Sequence, residues 1–212
     1  MREELTSRHE ELTGVIIAGG RNERMGQVKG LMPIADEPLI ARTLRELSQV
    51  CRRRLLVDNE PERFRPYAAA ACAELIRDVV PHRGPMSGLH AALAHGSTPY
   101  YWAVGSDMPF VSGQAAIWLL ERLKAEPMEV LAIVPRIDGQ VHPLHGVYRQ
   151  ECLSSMTEAL QSERTGLIRW LGGIHALYVT EQELTEAGFA TRIVDSFNDE
   201  EGYRRCVEAA LS

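Results

Sequence analysis

The segment Thr13-Gly14-Val15-Ile16-Ile17-Ala18-Gly19-Gly20 is the strongest indication of the fold of this 212-residue chain. A short, β-branched apolar run that ends in paired glycines is typical of a buried parallel strand leading into a loop. From Pro38 the apolar residues follow helical spacing, and residues 55–57 form the next apolar run. Strand, helix and strand make a βαβ unit, so we predict a parallel sheet covered by helices on both faces.

The same alternation continues to the end of the chain. Further strands are predicted at 74–76, 100–104, 130–134, 142–148, 176–179 and 192–194. Further helices are predicted at 62–73, 85–95, 114–124, 151–160, 167–171 and 200–211, the last with Asn198 as its N-cap. We therefore predict an α/β fold with one domain at 13–212, preceded by a polar N-terminal extension at 1–12. Ligands bind such sheets at the carboxyl ends of the strands, here the first and fourth.

Composition excludes several classes of protein. The net charge is −6 and no basic stripe with interleaved aromatics occurs, so we expect no nucleic-acid partner. The apolar runs are too short for a membrane helix, and residues 1–12 do not resemble a secretory signal, so we expect a cytoplasmic protein without membrane contact. The four cysteines lack metal-binding spacing. The basic cluster at 52–54 is interpreted as a solvated corner between helix and strand.

The glycine-rich loop at 19–30 carries the first candidate site. Its four glycines let backbone N–H groups approach a triphosphate, while Arg24 and Lys29 can place positive charge on phosphate oxygens. The spacing matches neither a P-loop nor a dinucleotide-binding fingerprint. A glycine-rich surface loop without a ligand is the alternative interpretation.

A second candidate site follows the predicted strand at 100–104, in Val104-Gly105-Ser106-Asp107-Met108-Pro109-Phe110. A carboxylate at the end of a strand can hold Mg²⁺ against the phosphates of a nucleoside triphosphate. We therefore predict Asp107 as the metal ligand and Mg²⁺ as the cofactor. The alternative is an aspartate that only stabilises the following turn.

Together, the segment A-G-G-x-x-x-R-M-G-x-x-K-G-L and the string S-D-M-P-F resemble the molybdenum cofactor guanylyltransferase (MobA-type) family. The resemblance implies a Rossmann-like, three-layer α/β/α sandwich with a mostly parallel central sheet, the nucleotidyltransferase fold. It also implies transfer of GMP from GTP to molybdopterin with release of pyrophosphate. By resemblance, the catalytic residues are Lys29, Arg24 and Asp107. The implied nucleotide contacts are Ile17, Ala18, Gly19, Gly20, Lys29, Asp58, Asp78 and Asp107, of which Asp58 and Asp78 hold the base or ribose.

Two further segments extend the resemblance. Residues 84–89 resemble the family's G-P-L-A-G segment, and residues 138–144 resemble its D-G-x-x-H-P-L stretch beside the pterin. The second match implies that His142 and Pro143 bind the acceptor. Val28 departs from an aspartate common in the family, and Phe197 departs from the second Asn of its C-terminal pattern N-x-N-T-P-E-[DE].

Two other functions remain open on these residues. One is a nucleotidyltransferase that uses CTP or another nucleoside triphosphate on a different cofactor or sugar phosphate. The other is a non-catalytic nucleotide-binding regulator of molybdoenzyme maturation. The resemblance also implies molybdenum-insertion proteins or molybdoenzyme chaperones as partners, beside the substrates GTP and molybdopterin.

Overall fold

The computed structural model describes residues 9–19, 27–78, 84–162 and 166–211. Its strands are β1 (His9–Ile17), β2 (Pro33–Ile34), β3 (Glu37–Pro38), β4 (Cys51–Asp58), β5 (Glu74–Arg77), β6 (Tyr100–Gly105), β7 (Ala132–Ile137), β8 (Gln140–Val141), β9 (Gly146–Arg149) and β10 (Ala176–Thr180). Its α-helices are α1 (Leu39–Val50), α2 (Arg65–Ala70), α3 (Pro85–His95), α4 (Gly113–Ala125), α5 (Cys152–Gln161), α6 (Leu167–Leu171), α7 (Glu181–Glu186) and α8 (Glu200–Leu211). Short 3₁₀ helices lie at Lys29–Leu31, Pro61–Phe64 and Thr191–Val194.

The main sheet has the strand order β10-β7-β9-β6-β1-β4-β5, and β8 pairs with β7. β1 runs parallel to both of its neighbours, β4 and β6. β9 runs antiparallel to β6 and β7. The mostly parallel sheet predicted from the sequence is therefore confirmed, and β1 lies inside it with its carboxyl end between those of β4 and β6.

The sheet separates two hydrophobic layers, because successive side chains of a strand point to opposite faces. On β1, Leu12 and Ile16 pack in the layer that contains α1 and α4, whereas Val15 and Ile17 pack in the layer of α3 and α5. All four side chains are buried, and burying one aliphatic side chain stabilises a fold by roughly 1.5–3 kcal/mol. The three-layer α/β/α sandwich is thus confirmed.

A third, smaller cluster joins the C-terminal segment to the region before α1. Phe197 and Cys206 pack there against Met32, Ile34 and Leu39. This packing brings the chain that precedes α8 over the residues that follow the glycine loop. The chain that precedes α8 also reaches the candidate site.

Several predicted elements differ from the structure. β1 begins at His9, so residues 9–12 of the predicted extension belong to the sheet. The strand predicted at 142–148 is limited to Gly146–Arg149, after a stretch in which His145 has a φ of 69°. The strand predicted at 192–194 is wrong, since Thr191–Val194 forms a 3₁₀ helix. β-branched residues favour strands, but within the described ranges no strand pairs with this short segment.

Other differences concern helices and charge. The helix predicted at 62–73 is a 3₁₀ turn followed by α2, and α7 was not predicted. The basic cluster at 52–54 is not a wholly solvated corner, because Arg54 is buried in β4 and donates hydrogen bonds to the carbonyls of Cys51 and Ala71. In the part of the chain that the structure describes, no helix combines the length and apolar character needed to cross a bilayer.

Candidate functional site

The candidate site lies where β1 and β6 end side by side. Ile17 pairs with Gly105 in the parallel register of these strands, and the N–H of Ser106 donates a hydrogen bond to the carbonyl of Ile17 at 3.1 Å. The glycine loop and the segment that contains Asp107 therefore leave the sheet at the same point. This arrangement is the crevice expected for an α/β sheet.

The structure brings Lys29 and Asp107 together across this crevice. Lys29 begins the 3₁₀ helix Lys29–Leu31, and its Nζ lies 3.0 Å from Oδ2 of Asp107. The same ammonium donates a hydrogen bond to Oδ1 of Asn198 at 2.9 Å. The Lys29 and Asp107 side chains are 17% and 23% exposed, so their pairing is screened less than that of a fully exposed pair. Arg24 and Gly20, also predicted for this site, lie outside the described residues.

Backbone hydrogen bonds hold the Asp107 turn on both sides. The N–H of Gly105 donates to Sδ of the buried Met108 at 3.1 Å. The N–H of Phe197 donates to the carbonyl of Asp107 at 3.3 Å. Because Phe197 is itself anchored in the hydrophobic cluster before α8, the C-terminal segment is fastened directly to the carboxylate-bearing turn.

The structure corrects the comparison of the C-terminal segment with the family pattern. Oδ1 of Asp199 accepts a hydrogen bond from the N–H of Gly202 at 2.8 Å, so Asp199, not the predicted Asn198, caps α8. In the family's C-terminal pattern N-x-N-T-P-E-[DE], Thr is suited to the N-cap of the last helix, and Pro is suited to the first position inside that helix. Aligning Asp199 with that Thr places Asn198, rather than Phe197, at the second Asn. The amide that appeared to be lost is present, and it contacts Lys29.

The residues at the end of β1 lie close to those that follow β4 and β5. The N–H of Ala18 donates to the carbonyl of Val57 at 2.8 Å, which ties the end of β1 to β4. A Cβ placed on Gly19 would make only ordinary contacts, with Nδ2 of Asn59 at 3.7 Å and Oδ2 of Asp78 at 3.9 Å. The predicted nucleotide residues Ile17, Ala18 and Gly19 thus lie together at the carboxyl end of β1.

Asp58 and Asp78 occupy neighbouring strand ends but have different surroundings. The side chain of Asp58 is fully buried and accepts hydrogen bonds from the N–H of Glu60 at 2.7 Å and from Nη2 of Arg63 at 2.6 Å. These contacts give Asp58 a structural role at the end of β4. Asp78 is 8% exposed, receives a hydrogen bond from the hydroxyl of Ser87 on α3, and has Oδ2 towards Gly19. Of the two, only Asp78 has a carboxylate oxygen close to Gly19.

His142 lines a pocket beside the Asp107 turn. The pocket has a volume of about 490 Å³, and its lining includes Phe110, His142, Asp195, Ser196 and Arg205. Burial lowers the pKa of His142, although its hydrogen bond to the backbone of Ile137 and the charge of Asp195 oppose the shift. The imidazole is therefore neutral near pH 7 and can take part in hydrogen bonds without carrying charge.

Pro143 has a different position from His142. It is not among the residues that line the pocket, and its carbonyl accepts a hydrogen bond from the hydroxyl of Tyr148 at 2.5 Å. This contact shapes the turn between β8 and β9. Of the two predicted acceptor residues, the structure places only His142 against the open volume.

A second histidine, His145, was not predicted. It is fully buried, and its Nε2 accepts a hydrogen bond from the N–H of Ser112, the residue before α4, at 3.0 Å. Burial lowers the pKa of His145 to about 4. Its positive φ is the one local feature that marks it as unusual, and a sequence does not display that feature.

One cluster of three metal-ligating side chains occurs among the described residues, and it lies away from this crevice. His9 and Glu11 of β1 and Glu121 of α4 have ligand atoms within 4.8 Å of one another. They lie at the amino end of β1, whereas Lys29 and Asp107 lie at its carboxyl end. Lys124 already contacts Glu11 at 2.6 Å and Glu121 at 3.2 Å. The cluster is therefore distinct from the predicted metal ligand Asp107.

The chain is similar to several known proteins. The chain is 31% identical over 207 residues to the probable molybdenum cofactor guanylyltransferase of Natronomonas pharaonis, covering 93% of this chain and 98% of the relative. It is 30% identical over 174 residues to a protein of the same name from Pelotomaculum thermopropionicum, covering 82% and 81%. The crystal structure of molybdopterin-guanine dinucleotide biosynthesis protein A from Archaeoglobus fulgidus has a TM-score of 0.77 at 21% identity, covering 94% of this chain and 98% of that one.

The match to a family model covers most of the residues that form the crevice. Residues 14–178 match the model described as the MobA-like NTP transferase domain. This range includes the glycine loop, Asp107 and His142, and it ends before Asn198. The chain therefore belongs to the MobA-like NTP transferase family, and it is a nucleotidyltransferase.

Proposed function

We propose that this nucleotidyltransferase transfers GMP from GTP to molybdopterin, forming the guanine dinucleotide form of the molybdenum cofactor and releasing pyrophosphate. One observation carries the proposal: Lys29 and Asp107, from the two motifs, meet at 3.0 Å in a single crevice. A cation for the phosphates and a carboxylate for a metal ion are the groups that nucleotidyl transfer requires together. The names of the relatives support GTP and molybdopterin as the substrates.

In the proposed reaction, an oxygen of the acceptor's terminal phosphate attacks the α-phosphorus of GTP. The new P–O bond forms as the bond from the α-phosphorus to the bridging oxygen breaks, and pyrophosphate leaves with that electron pair. Lys29 would hold the phosphate oxygens on which negative charge increases. Asn198 would limit the movement of the Lys29 ammonium, and Arg24 is proposed, on sequence alone, to add a second positive charge.

The residues of the crevice fit a Mg²⁺ ion. Asp107 offers a carboxylate and Asn198 offers an amide oxygen, both within hydrogen-bonding distance of Lys29. Oxygen ligands of this kind, completed by phosphate oxygens and water, are those that Mg²⁺ prefers. When bound, Mg²⁺ supplies neutralisation of the triphosphate charge. We therefore propose Asp107 as the protein ligand of the metal.

The pocket that contains His142 is the proposed acceptor site. Its volume of about 490 Å³ falls within the usual range for small-molecule sites. Ser196, which lines it, directly precedes the residue whose N–H binds the carbonyl of Asp107. An acceptor in this pocket would lie beside the metal ligand. Phe110 provides an apolar surface for a ring, and His142 and Arg205 provide polar groups for the acceptor or its phosphate.

The product would have to reach molybdenum enzymes. We propose molybdenum-insertion proteins or molybdoenzyme chaperones as partners for this transfer, and the cytoplasm as the location. The support is the role in molybdenum cofactor synthesis that the names of the relatives state, together with the family membership of this chain. Co-purification of the tagged protein with a molybdoenzyme chaperone from the native host tests the partnership.

A reconstituted reaction tests the proposed function. The protein, GTP, molybdopterin and Mg²⁺ are combined, and pyrophosphate release and the mass of the product are measured. Asp107→Asn should lower turnover at least about a hundredfold without changing the melting temperature, because it removes charge but keeps shape. Glu158→Gln, an exposed acid on α5, serves as the matched control.

Two results would contradict the proposal. One is near-wild-type turnover by Asp107→Asn, which would remove that carboxylate from the reaction. The other is a larger stabilisation by CTP, ATP or UTP than by GTP in a thermal-shift series with Mg²⁺, because a ligand that binds only the folded state raises its apparent stability.

A further inference from the structure

The pocket that contains His142 has one acidic residue among the described residues of its lining, Asp195. Phe110 and Val194 provide apolar surface in the same pocket. An apolar wall combined with a carboxylate suits a flat heterocycle that carries hydrogen-bond donors along one edge, because the ring packs on the wall while its donors bind the carboxylate. Asp195 is therefore the group that can select among ring ligands.

The backbone holds Asp195 on both sides. The N–H of Asp195 donates to the carbonyl of Arg192 at 3.0 Å, at the end of the 3₁₀ helix Thr191–Val194. Two residues later, the N–H of Phe197 donates to the carbonyl of Asp107 at 3.3 Å. The position of Asp195 in the pocket is thus fixed by contacts outside the pocket.

The carboxylate of Asp195 has no hydrogen bond or ion pair with a described residue. The nearby Arg192 is engaged elsewhere, because its Nη2 donates to the carbonyl of Ala209 at 2.9 Å and its guanidinium lies 3.6 Å from the centroid of the Phe110 ring. The walls of the pocket partly desolvate Asp195, which raises its pKa, although the charges of Arg192 and His142 oppose this shift. Both carboxylate oxygens can therefore accept a pair of parallel hydrogen bonds from a ligand.

The pterin of the proposed acceptor has such a pair of donors. Its pyrimidine ring carries N3–H next to the 2-amino group, and one carboxylate can accept from both groups at once, as it does from the two N–H groups of a guanidinium. Resting on the proposed function, we propose that Asp195 is a specificity-determining residue that accepts hydrogen bonds from the N3–H and the 2-amino group of the acceptor's ring. The ring then packs against Phe110.

The position of Asp195 is compatible with the reaction in the crevice. Asp195 precedes Phe197 by two residues, and two residues span at most about 7 Å. Since Phe197 is hydrogen-bonded to Asp107, a ring held at Asp195 lies close to the Asp107 turn. The phosphate of the acceptor can extend from that ring towards the crevice.

Guanine has the same pair of donors, in its N1–H and 2-amino group, so GTP is a second possible source of this edge. The location of the pocket favours the acceptor. The described lining of the pocket comes from residues 110, 142 and 194–209, whereas Ile17, Ala18 and Gly19, the predicted nucleotide contacts, lie at the carboxyl end of β1. The experiment therefore measures both ligands.

Two ring analogues test the contact. 6-Hydroxymethylpterin phosphate has both donors, whereas 6-hydroxymethyllumazine phosphate has a keto oxygen in place of the 2-amino group. Binding of each analogue, and separately of GTP with Mg²⁺, is measured by calorimetry for the full chain of the wild type and of Asp195→Asn. Asp36→Asn, in the exposed turn between β2 and β3, is the matched control.

We expect the wild type and the control to bind the pterin about tenfold more tightly than the lumazine, because a site that accepts from an amino group rejects an analogue with an oxygen there. Asp195→Asn should weaken pterin binding about tenfold and abolish the preference, since one of its two acceptors becomes a donor. Its affinity for GTP and its melting temperature should equal those of the wild type. Asp195→Glu, which keeps the carboxylate, should retain the preference.

The inference is overturned by a wild type that binds neither analogue or binds both equally, and by Asp195→Asn with the wild-type preference. It is also overturned if Asp195→Asn weakens GTP binding and leaves pterin binding unchanged, because the pocket would then receive guanine. The proposed function fails separately. A wild type that prefers the pterin but forms no dinucleotide from GTP and molybdopterin contradicts the reaction and leaves the ring contact supported.

Discussion

Asn198 accepts a hydrogen bond from Lys29 at 2.9 Å, although 169 positions separate the two residues. Lys29 is thereby held between this amide and the carboxylate of Asp107 at 3.0 Å. The C-terminal segment is therefore part of the candidate site rather than a peripheral addition, and the contact can be tested directly.

Replacing Asn198 should lower activity without unfolding the protein. Its side chain is exposed, so Asn198→Ala removes little packing, but it frees the Lys29 ammonium from one of its two acceptors. We expect kcat/KM for GTP to fall about tenfold, in line with the loss of one charge-assisted hydrogen bond. Steady-state kinetics with Glu200→Ala as the control checks this. An unchanged kcat/KM would show that Asp107 alone positions Lys29.

Alanine substitutions at two glycines should separate an effect on GTP binding from an effect on stability. A Cβ at Gly19 has its nearest neighbour at 3.7 Å, an ordinary contact, so Gly19→Ala should fold normally while its methyl group keeps a nucleotide away from the backbone and weakens GTP binding at least about tenfold. A Cβ at Gly88 would lie 2.8 Å from Cγ2 of the buried Ile17, so Gly88→Ala should destabilise the protein by about 1–3 kcal/mol. Calorimetric binding and thermal unfolding distinguish the two effects. Equal losses of stability in the two variants would contradict this prediction.

Ser87→Ala should raise KM for GTP while leaving kcat nearly unchanged. The hydroxyl of Ser87 orients the carboxylate of Asp78, and the family's G-P-L-A-G segment has alanine at this position. Losing one hydrogen bond should raise KM about threefold to tenfold. Ser154→Ala, on the exposed side of α5, is the control. A fall in kcat at constant KM would mean that the hydroxyl acts elsewhere than on nucleotide binding.

Acid should destabilise the protein through His145. Its folded pKa of about 4 lies below the ordinary histidine value of 6.5, so between these values the unfolded chain binds a proton that the folded chain does not. Stability should be complete above pH 6.5 and should fall as the pH drops towards 4, by on the order of 3 kcal/mol. Urea unfolding at several pH values measures this slope.

The variant His145→Asn isolates that contribution. Asparagine tolerates the positive φ of 69° at this position and does not titrate. The variant should be less stable at pH 7, because Ser112 loses its acceptor, but its stability should vary less between pH 6.5 and 4. A wild type and a variant with parallel pH curves would show that other groups cause the acid sensitivity.

Local sequence patterns predicted the bounds of several helices. α3, α6 and α8 have the bounds that were predicted for the helices at 85–95, 167–171 and 200–211. Patterns of this kind involve residues within one helix, so the helix bounds depend little on how the rest of the chain packs. Where the signal was only a β-branched run, as at 192–194, the absence of a partner strand decided against a strand.

The sequence by itself determined the α/β alternation, the glycine loop after β1 and the acidic turn after β6, because each depends on residue types within one short segment. The antiparallel direction of β9 and the contact of Asn198 with Lys29 were not predicted from the sequence. These features depend on which distant surfaces pack together. Burial of Phe197 against the residues before α1 places the amide beside the ammonium, and no local pattern encodes that contact.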